Sequence, residues 1–144
     1  MIKPEKKNIF SNDFKINELK EDVNYIGDKI QNGNSIVSVC MNRIKNLKKC
    51  IISWLDVIDC DEIILLDYGS NNPIKNELIE FIKNKNYDIK KIKFYRVNNV
   101  SRWNLTKAFN LAIKLCNYNN IYKLDCEDIV KKELINLHCL DKNC

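Results

Sequence analysis

An α/β domain built on a mostly parallel sheet is the architecture this sequence predicts. Two observations carry the prediction. Four short, β-branched apolar runs of strand length alternate with segments of helical periodicity, and the connections between them are short. A third observation is length: 144 residues suffice for one sizeable core and hardly for two. Alternation of this kind favours parallel strands joined by right-handed crossovers.

The elements follow in order. Residues 1–34 are polar and weakly periodic. Within them "NELKEDVNYIGDKI" suits a short helix with Leu19, Val23 and Ile26 on one face, broken by "QNGN" at Gly33. This part is expected to be a partly ordered N-terminal extension, with the domain proper over 35–144. "SIVSVCM" then reads as a strand buried on both faces. Asn42 can cap the helix "RIKNLKKCIISWLDVI", which sets Ile44, Leu47, Ile51, Leu55 and Ile58 at helical spacing. "DEIILLDYGS" is a second buried strand ending in an acid and a glycine turn, and "NNP" supplies a cap with Pro73 at the first helical position. Ile74, Leu78, Phe81 and Ile82 form the next stripe, and "IKFYRV" is the third strand. "WNLTKAFNLAIKLC" gathers Leu105, Ala108, Phe109, Ala112, Ile113 and Cys116 on one helical face. "IYKLD" is the fourth strand, and a last helix is expected over roughly 130–140 through Val130, Leu134 and Leu137.

Composition narrows the class. Hydrophobic residues are 45% of the chain, which is that of a globular protein rather than a disordered one. The net charge of +5 suits an anionic partner such as a nucleotide, a phosphorylated substrate or RNA, and singles out none. Much of the lysine and asparagine is attributable to AT-rich codon bias. The seven cysteines include no C-x-x-C pair, and the single His138 has only Cys139 beside it, so zinc is not expected. The cysteines read as small buried hydrophobes, reduced in a cytoplasmic setting. The N-terminus lacks an apolar h-region and no window could span a membrane.

In open α/β sheets, ligands lie beyond the carboxyl ends of the strands. Those ends here carry Asn42 and Arg43, then Asp67 with Gly69, then Arg96 and a loop to Trp103 and Asn104, then Asp125-Cys126-Glu127-Asp128. Asp125 and Glu127 can present two carboxylates to one hard cation, Mn²⁺ or Mg²⁺, which leaves positions for phosphate oxygens. The same acids equally suit the start of a helix, where the dipole favours them. Asp67 can accept from a base or ribose, or can form the turn before Gly69. Arg43 and Arg96 can pair with phosphate or with nearby acids. Trp103 can stack on a base or anchor the core, and Lys107 lies off the apolar face of its helix.

Taken together, "SVCMNRIKNLKKCIISWL", "DEIILLDYGSNNP", "FYRVNNVSRWNLTKAFNLAIKLC" and "YKLDCEDIV" resemble family 2-like glycosyltransferases of the Rossmann-like GT-A fold, nearest the chondroitin-polymerase and capsule-biosynthesis branch, over roughly residues 35–131. The resemblance implies a nucleotide-diphospho-sugar donor, commonly a UDP-sugar, with Mn²⁺ or Mg²⁺. It matches Asn42 and Arg43 to the segment bordering the nucleotide, Asp67 to the carboxylate that reads uracil or ribose, and Trp103, Asn104, Lys107 and Asn110 to the helix that closes over the donor. Asp125-Cys126-Glu127 matches the D-x-D metal motif, and Arg96 falls among the donor-binding positions.

Two departures stand out. Glu127 replaces the second Asp of the motif, and only "KKELINLHCLDKNC" follows it, so the donor-binding half is expected without the acceptor region. No residue stands out as the base; Glu133 is poorly placed for that role. Transfer would be to a glycan or protein hydroxyl. The alternatives are a non-catalytic remnant or partner module of the same fold, docked on a chain that completes the sheet, and a basic RNA- or protein-binding domain. Spread-out lysines without aromatic interleaving argue against nucleic acid.

Overall fold

A computed structural model of the chain describes residues 31–98, 100 and 102–138. The helix expected around Leu19 to Ile26 lies outside the described residues, as do Cys139 and the end of the expected last helix.

Among the described residues eight elements alternate: β1 (Gln31–Cys40), α1 (Ile44–Leu55), β2 (Glu62–Tyr68), α2 (Lys75–Asn84), β3 (Ile92–Val97), α3 (Leu105–Lys114), β4 (Tyr118–Lys123) and α4 (Leu134–Leu137). The strands form one sheet in the order β3-β2-β1-β4, with every pairing parallel. The apolar runs explain this. Every residue of β2 is buried, as are the last six of β1, because helices cover both faces of the sheet. Leu47, Cys50, Ile51 and Trp54 of α1 join Leu78 and Ile82 of α2 on one face. Ala108, Phe109, Leu111 and Ala112 of α3 cover the other, against Val37, Val39, Ile64 and Leu66.

The strand run "IKFYRV" matches β3 residue for residue, whereas several element ends differ from their sequence signals. β1 starts at Gln31, so "QNGN" is strand rather than a break. It pairs with the start of β4, Gln31 opposite Tyr118 and Asn34 opposite Asn120, with a register irregularity between. Side-chain amides stitch this polar extension: Gly33 N donates to Asn119 Oδ1 (3.1 Å), Asn119 Nδ2 to Asn32 Oδ1 (3.2 Å) and Asn120 Nδ2 to Asn34 Oδ1 (3.1 Å). β4 accordingly begins at Tyr118, not Ile121. The helix α1 is shorter than its apolar stripe, and Ile58 lies beyond it, exposed. Asn42 does not cap α1, and Pro73 precedes α2 instead of opening it. α4 is a single turn in which Ile135 is buried and Leu137 exposed.

The amino end of β2 carries a buried carboxylate. Glu62 is fully buried and accepts from Ser35 Oγ (2.6 Å), Lys93 Nζ (2.7 Å), Asn117 N (2.6 Å) and Asn117 Nδ2 (2.9 Å). Desolvation pushes its pKa up, but these four donors outweigh burial and hold it below the usual carboxylate value. This cluster links β1, β2, β3 and the approach to β4 at the pole opposite the strand carboxyl ends.

A carboxylate whose pKa is lower folded than unfolded stabilises the fold above its unfolded value, and the benefit is lost as pH falls through the folded one. Stability measured by urea denaturation is therefore expected to decline below the ordinary Glu pKa of about 4.3. Glu62→Gln is expected to cost on the order of 2 kcal/mol near neutrality and to flatten that acid-side slope. An unchanged slope in Glu62→Gln would assign the acid sensitivity elsewhere.

Candidate functional site

The chain runs from β1 outward to β2 and β3, then returns to lay β4 on the other side of β1. That reversal leaves a crevice between the carboxyl ends of β1 and β4, the position where open α/β sheets hold ligands. A cleft of about 470 Å³ lies there. Met41, Asn42 and Arg43 line it from the end of β1, and Asp125, Cys126 and Glu127 from the end of β4. Trp103, Leu105 and Phe109 close it from α3 and the loop before it.

Each wall has a local cause. Asn42 adopts a left-handed backbone (φ 57°), which asparagine tolerates better than most residues. Its N–H donates to Ser70 Oγ (2.9 Å) and its Oδ1 accepts from Asn71 N (2.8 Å), fastening the loop after β1 to the loop after β2. The acidic turn closes on itself: Asp125 N donates to Asp128 Oδ2 (2.8 Å), and Asp128 N to Asp125 O (3.0 Å). Helix α1 holds the turn from below. Trp54 Nε1 donates to Asp128 O (2.7 Å), Cys50 Sγ to Cys126 O (3.2 Å), and Ser53 Oγ accepts from Val130 N (3.2 Å).

The three acids thus have separate places. Asp128 shapes the turn. Asp125 is exposed, with Lys123 Nζ 3.6 Å from it. Glu127 is ion-paired with Arg43 at 2.6 Å, and both side chains remain more than half exposed. Ion pairs this accessible are weak and exchange readily for another partner. Among the described residues no group of three or more His, Cys, Asp or Glu is arranged for a metal ion. Asp125 and Glu127 are carboxylates, the ligand type a Mg²⁺-like ion takes, commonly one or two together with phosphate oxygens.

Asp67 and Arg96 are paired away from the cleft. They are register partners on β2 and β3. Arg96 Nη1 donates to Asp67 Oδ2 (2.5 Å), Nη2 to Ser70 O (2.8 Å) and Nε to Asn98 Oδ1 (2.7 Å). Asp67 also accepts from Ser70 N (3.0 Å) and from Ile74 N (3.2 Å), so it does the work of a helix cap for α2 from within the preceding strand. Gly69 makes this loop possible: its φ is +76°, and a Cβ there would lie 2.6 Å from Val100 Cβ. Asn104 caps α3, accepting from Lys107 N (3.0 Å). Asn104, Lys107 and Asn110 are exposed and outside the cleft lining. Trp103 stands at the rim, 43% exposed, edge-on to Tyr68 with ring centroids 5.9 Å apart.

Leu105 and Phe109 were legible only as members of a core stripe. Leu105 is 47% exposed and lines the cleft. Met41 and Cys126 also line the cleft, and neither carries a residue-type signal for a ligand.

Comparison with known proteins bears on this geometry. No protein-family model and no curated protein matches the chain. Solved structures do. Residues 1–349 of S. aureus TarS superpose with a TM-score of 0.58 at 18% identity, covering 72% of this chain and 30% of TarS 1–349. The same protein in complex with UDP-GlcNAc gives 0.56 at 18% identity, over 72% of this chain and 29% of that one. In complex with UDP it gives 0.58 at 18%, over 72% and 30%. The chain thus spans about a third or less of the structures it matches. At this identity the likeness is one of fold, and the expected α/β architecture with its parallel sheet, a fold shared with TarS, is borne out. No helix among the described residues is long and apolar enough to cross a membrane.

Removing one member of a buried ion pair leaves the other charge without its partner. Asp67→Ala is expected to destabilise the fold on the order of 3 kcal/mol, read as a lower urea midpoint. Asp67→Asn, which keeps one acceptor for the loop N–H groups, should lose less. Equal losses in the two variants would count against the loop-holding role of Asp67.

Proposed function

We propose that this chain forms the donor-binding part of a metal-dependent glycosyltransferase that uses a nucleotide-diphospho-sugar, with a UDP-sugar the first choice. The observation that carries the reading is the meeting of Asn42, Arg43, Asp125, Glu127 and Trp103 in one cleft at the point where strand order reverses. The fold supports it, and TarS, which shares that fold, has been captured with UDP-GlcNAc and with UDP. The sequence resemblance extends the proposal to the chondroitin-polymerase and capsule-type branch, with a glycan or protein hydroxyl as acceptor.

In this reading Asp125 and Glu127 hold Mn²⁺ or Mg²⁺, which supplies charge neutralisation at the diphosphate and so makes it a better leaving group. Arg43 is already in the cleft and only loosely committed to Glu127, so its guanidinium is free to turn to a phosphate oxygen. Trp103 offers an exposed ring face at the rim for a base or sugar. Asp67 and Arg96 act at one remove, by fixing the loop that Asn42 is fastened to. Lys107 and Asn110 lie on the exposed side of α3, where they can meet a donor only at the cleft mouth.

A second reading is a module of the same fold that binds donor without turning it over. It is favoured by the acids of the cleft: among its described lining residues they are Asp125 and Glu127 alone, both assigned to metal, which leaves no carboxylate for the acceptor hydroxyl. A partner chain can supply that base, and β3 and β4, the outer strands among the described residues, are where it would pair.

Thermal unfolding with UDP, GDP, CDP and ADP, each with and without Mn²⁺, tests the site. UDP with Mn²⁺ is expected to stabilise the native state by roughly 2.7 kcal/mol at a hundred times its dissociation constant. The shift should vanish without metal and in Asp125→Asn. Absence of a shift with every nucleotide, in folded protein, would refute the donor site. Hydrolysis or transfer of a UDP-sugar would then separate the first reading from the second.

A further inference from the structure

Each carboxylate that lines the cleft already has a cation of this chain beside it. Glu127 Oε1 accepts from Arg43 Nη1 (2.6 Å), and Asn46 Nδ2 lies 3.5 Å from the same oxygen, so the carboxylate rests against the start of α1. Asp125 Oδ1 lies 3.6 Å from Lys123 Nζ. That ammonium also stands 4.3 Å from the ring centroid of Phe109, another lining residue. Asp128 is spent on the turn, where its Oδ2 accepts from Asp125 N. The two pairs differ in kind. Arg43 and Glu127 make a short charge-assisted hydrogen bond, whereas the Lys123 contact is too long for one. All four side chains are half exposed or more, so a change of partner costs little.

These four charges cancel, two of each sign. For a divalent cation alone to reach Glu127, Arg43 has to let go, and its guanidinium is then left repelled by a like charge at short range. For a diphosphate alone to take Arg43, Glu127 is left unpaired beside a second anion. Only the arrival of both leaves every charge with a partner. We propose that Arg43 is a built-in competitor for the metal position: its guanidinium occupies Glu127 in the empty cleft and passes to the diphosphate as the cation is admitted, so that cation and diphosphate bind as a coupled pair. By linkage each ligand then raises the affinity of the other by the same factor. The inference rests on the donor-site reading above and adds a sign to it. Loss of Arg43 helps the cation and harms the nucleotide.

The test titrates Mn²⁺ into the full chain without nucleotide and follows the free ion by electron paramagnetic resonance. Arg43→Met is expected to bind Mn²⁺ about two- to fivefold more tightly than the wild-type chain, the gain an exposed ion pair supports. UDP, titrated by calorimetry at saturating Mn²⁺, is expected to bind Arg43→Met more weakly. A loss of structure could not raise a metal affinity, so the opposite signs identify the exchange. Lys45→Met removes one positive charge from the same first turn of α1, but not the partner of Glu127. Screening of that exposed charge should leave its Mn²⁺ affinity at the wild-type value. If wild type binds UDP with Mn²⁺ while Arg43→Met binds Mn²⁺ no more tightly than wild type, the inference is overturned and the donor site stands. An equal gain in Lys45→Met would overturn it too, because charge alone would then account for the effect. If wild type takes up no Mn²⁺ even with UDP present, the inference and the donor site fall together.

Discussion

The strand β1 is the constraint on which the rest of the molecule depends. It is hydrogen-bonded in parallel on both sides, to β2 and to β4, and its last six residues are sealed beneath helices on both faces. A strand so enclosed leaves only its carboxyl end open. Because the chain builds outward from β1 in one direction and returns on the other, the loops that follow β1 and β4 diverge around that end. The cleft is the space they leave. Its polar walls follow from where those two strands stop, and its apolar wall from the first turn of α3.

Two kinds of polar interaction hold the ends of the sheet, at opposite poles. At one pole Glu62 gathers Ser35, Lys93 and Asn117 around a buried charge. At the other Asp67 and Arg96 hold the loop from Gly69 to Ile74. Both are carboxylates on β2, and both are satisfied by several donors, as buried charges must be. Around the cleft the pattern reverses: Asp125, Glu127 and Arg43 are accessible and loosely paired. Tight pairing accompanies burial and support; loose pairing marks the groups that can change partner.

Much of the fold was legible because burial on both faces writes itself as continuous apolar runs. "EIILLDY" and "IKFYRV" could be little else than strands, and Leu47 and Ile51 mark α1 against them, although its buried face is completed by Cys50 and Trp54, which the expected stripe of Ile44, Leu47, Ile51, Leu55 and Ile58 left out. What was not legible depends on partners distant in sequence. "QNGN" carries turn residues, yet Gly33 N donates to Asn119, the Asn32 and Asn34 side-chain oxygens accept from Asn119 and Asn120, and Asn34 donates to Asp59 and Asp61, all distant in sequence. Asn42 looks like a cap, but its side chain is engaged by Asn71. The cap of α2 comes from Asp67, seven residues before Ile74, at a spacing no local motif describes. At the candidate site, spacing brought Asp125, Glu127, Asn42 and Arg43 to one rim correctly. It did not show that Glu127 faces Arg43, that Asp128 closes the turn, or that Leu105 leaves the core for the cleft.

The polar extension of β1 has a consequence for how the domain is approached. Ten residues of strand, at about 3.3 Å each, separate Gln31 from Cys40 by roughly 30 Å. The backbone therefore enters the sheet at the pole remote from the cleft, beside the Glu62 cluster. The mouth between Arg43 and Trp103 lies at the opposite pole.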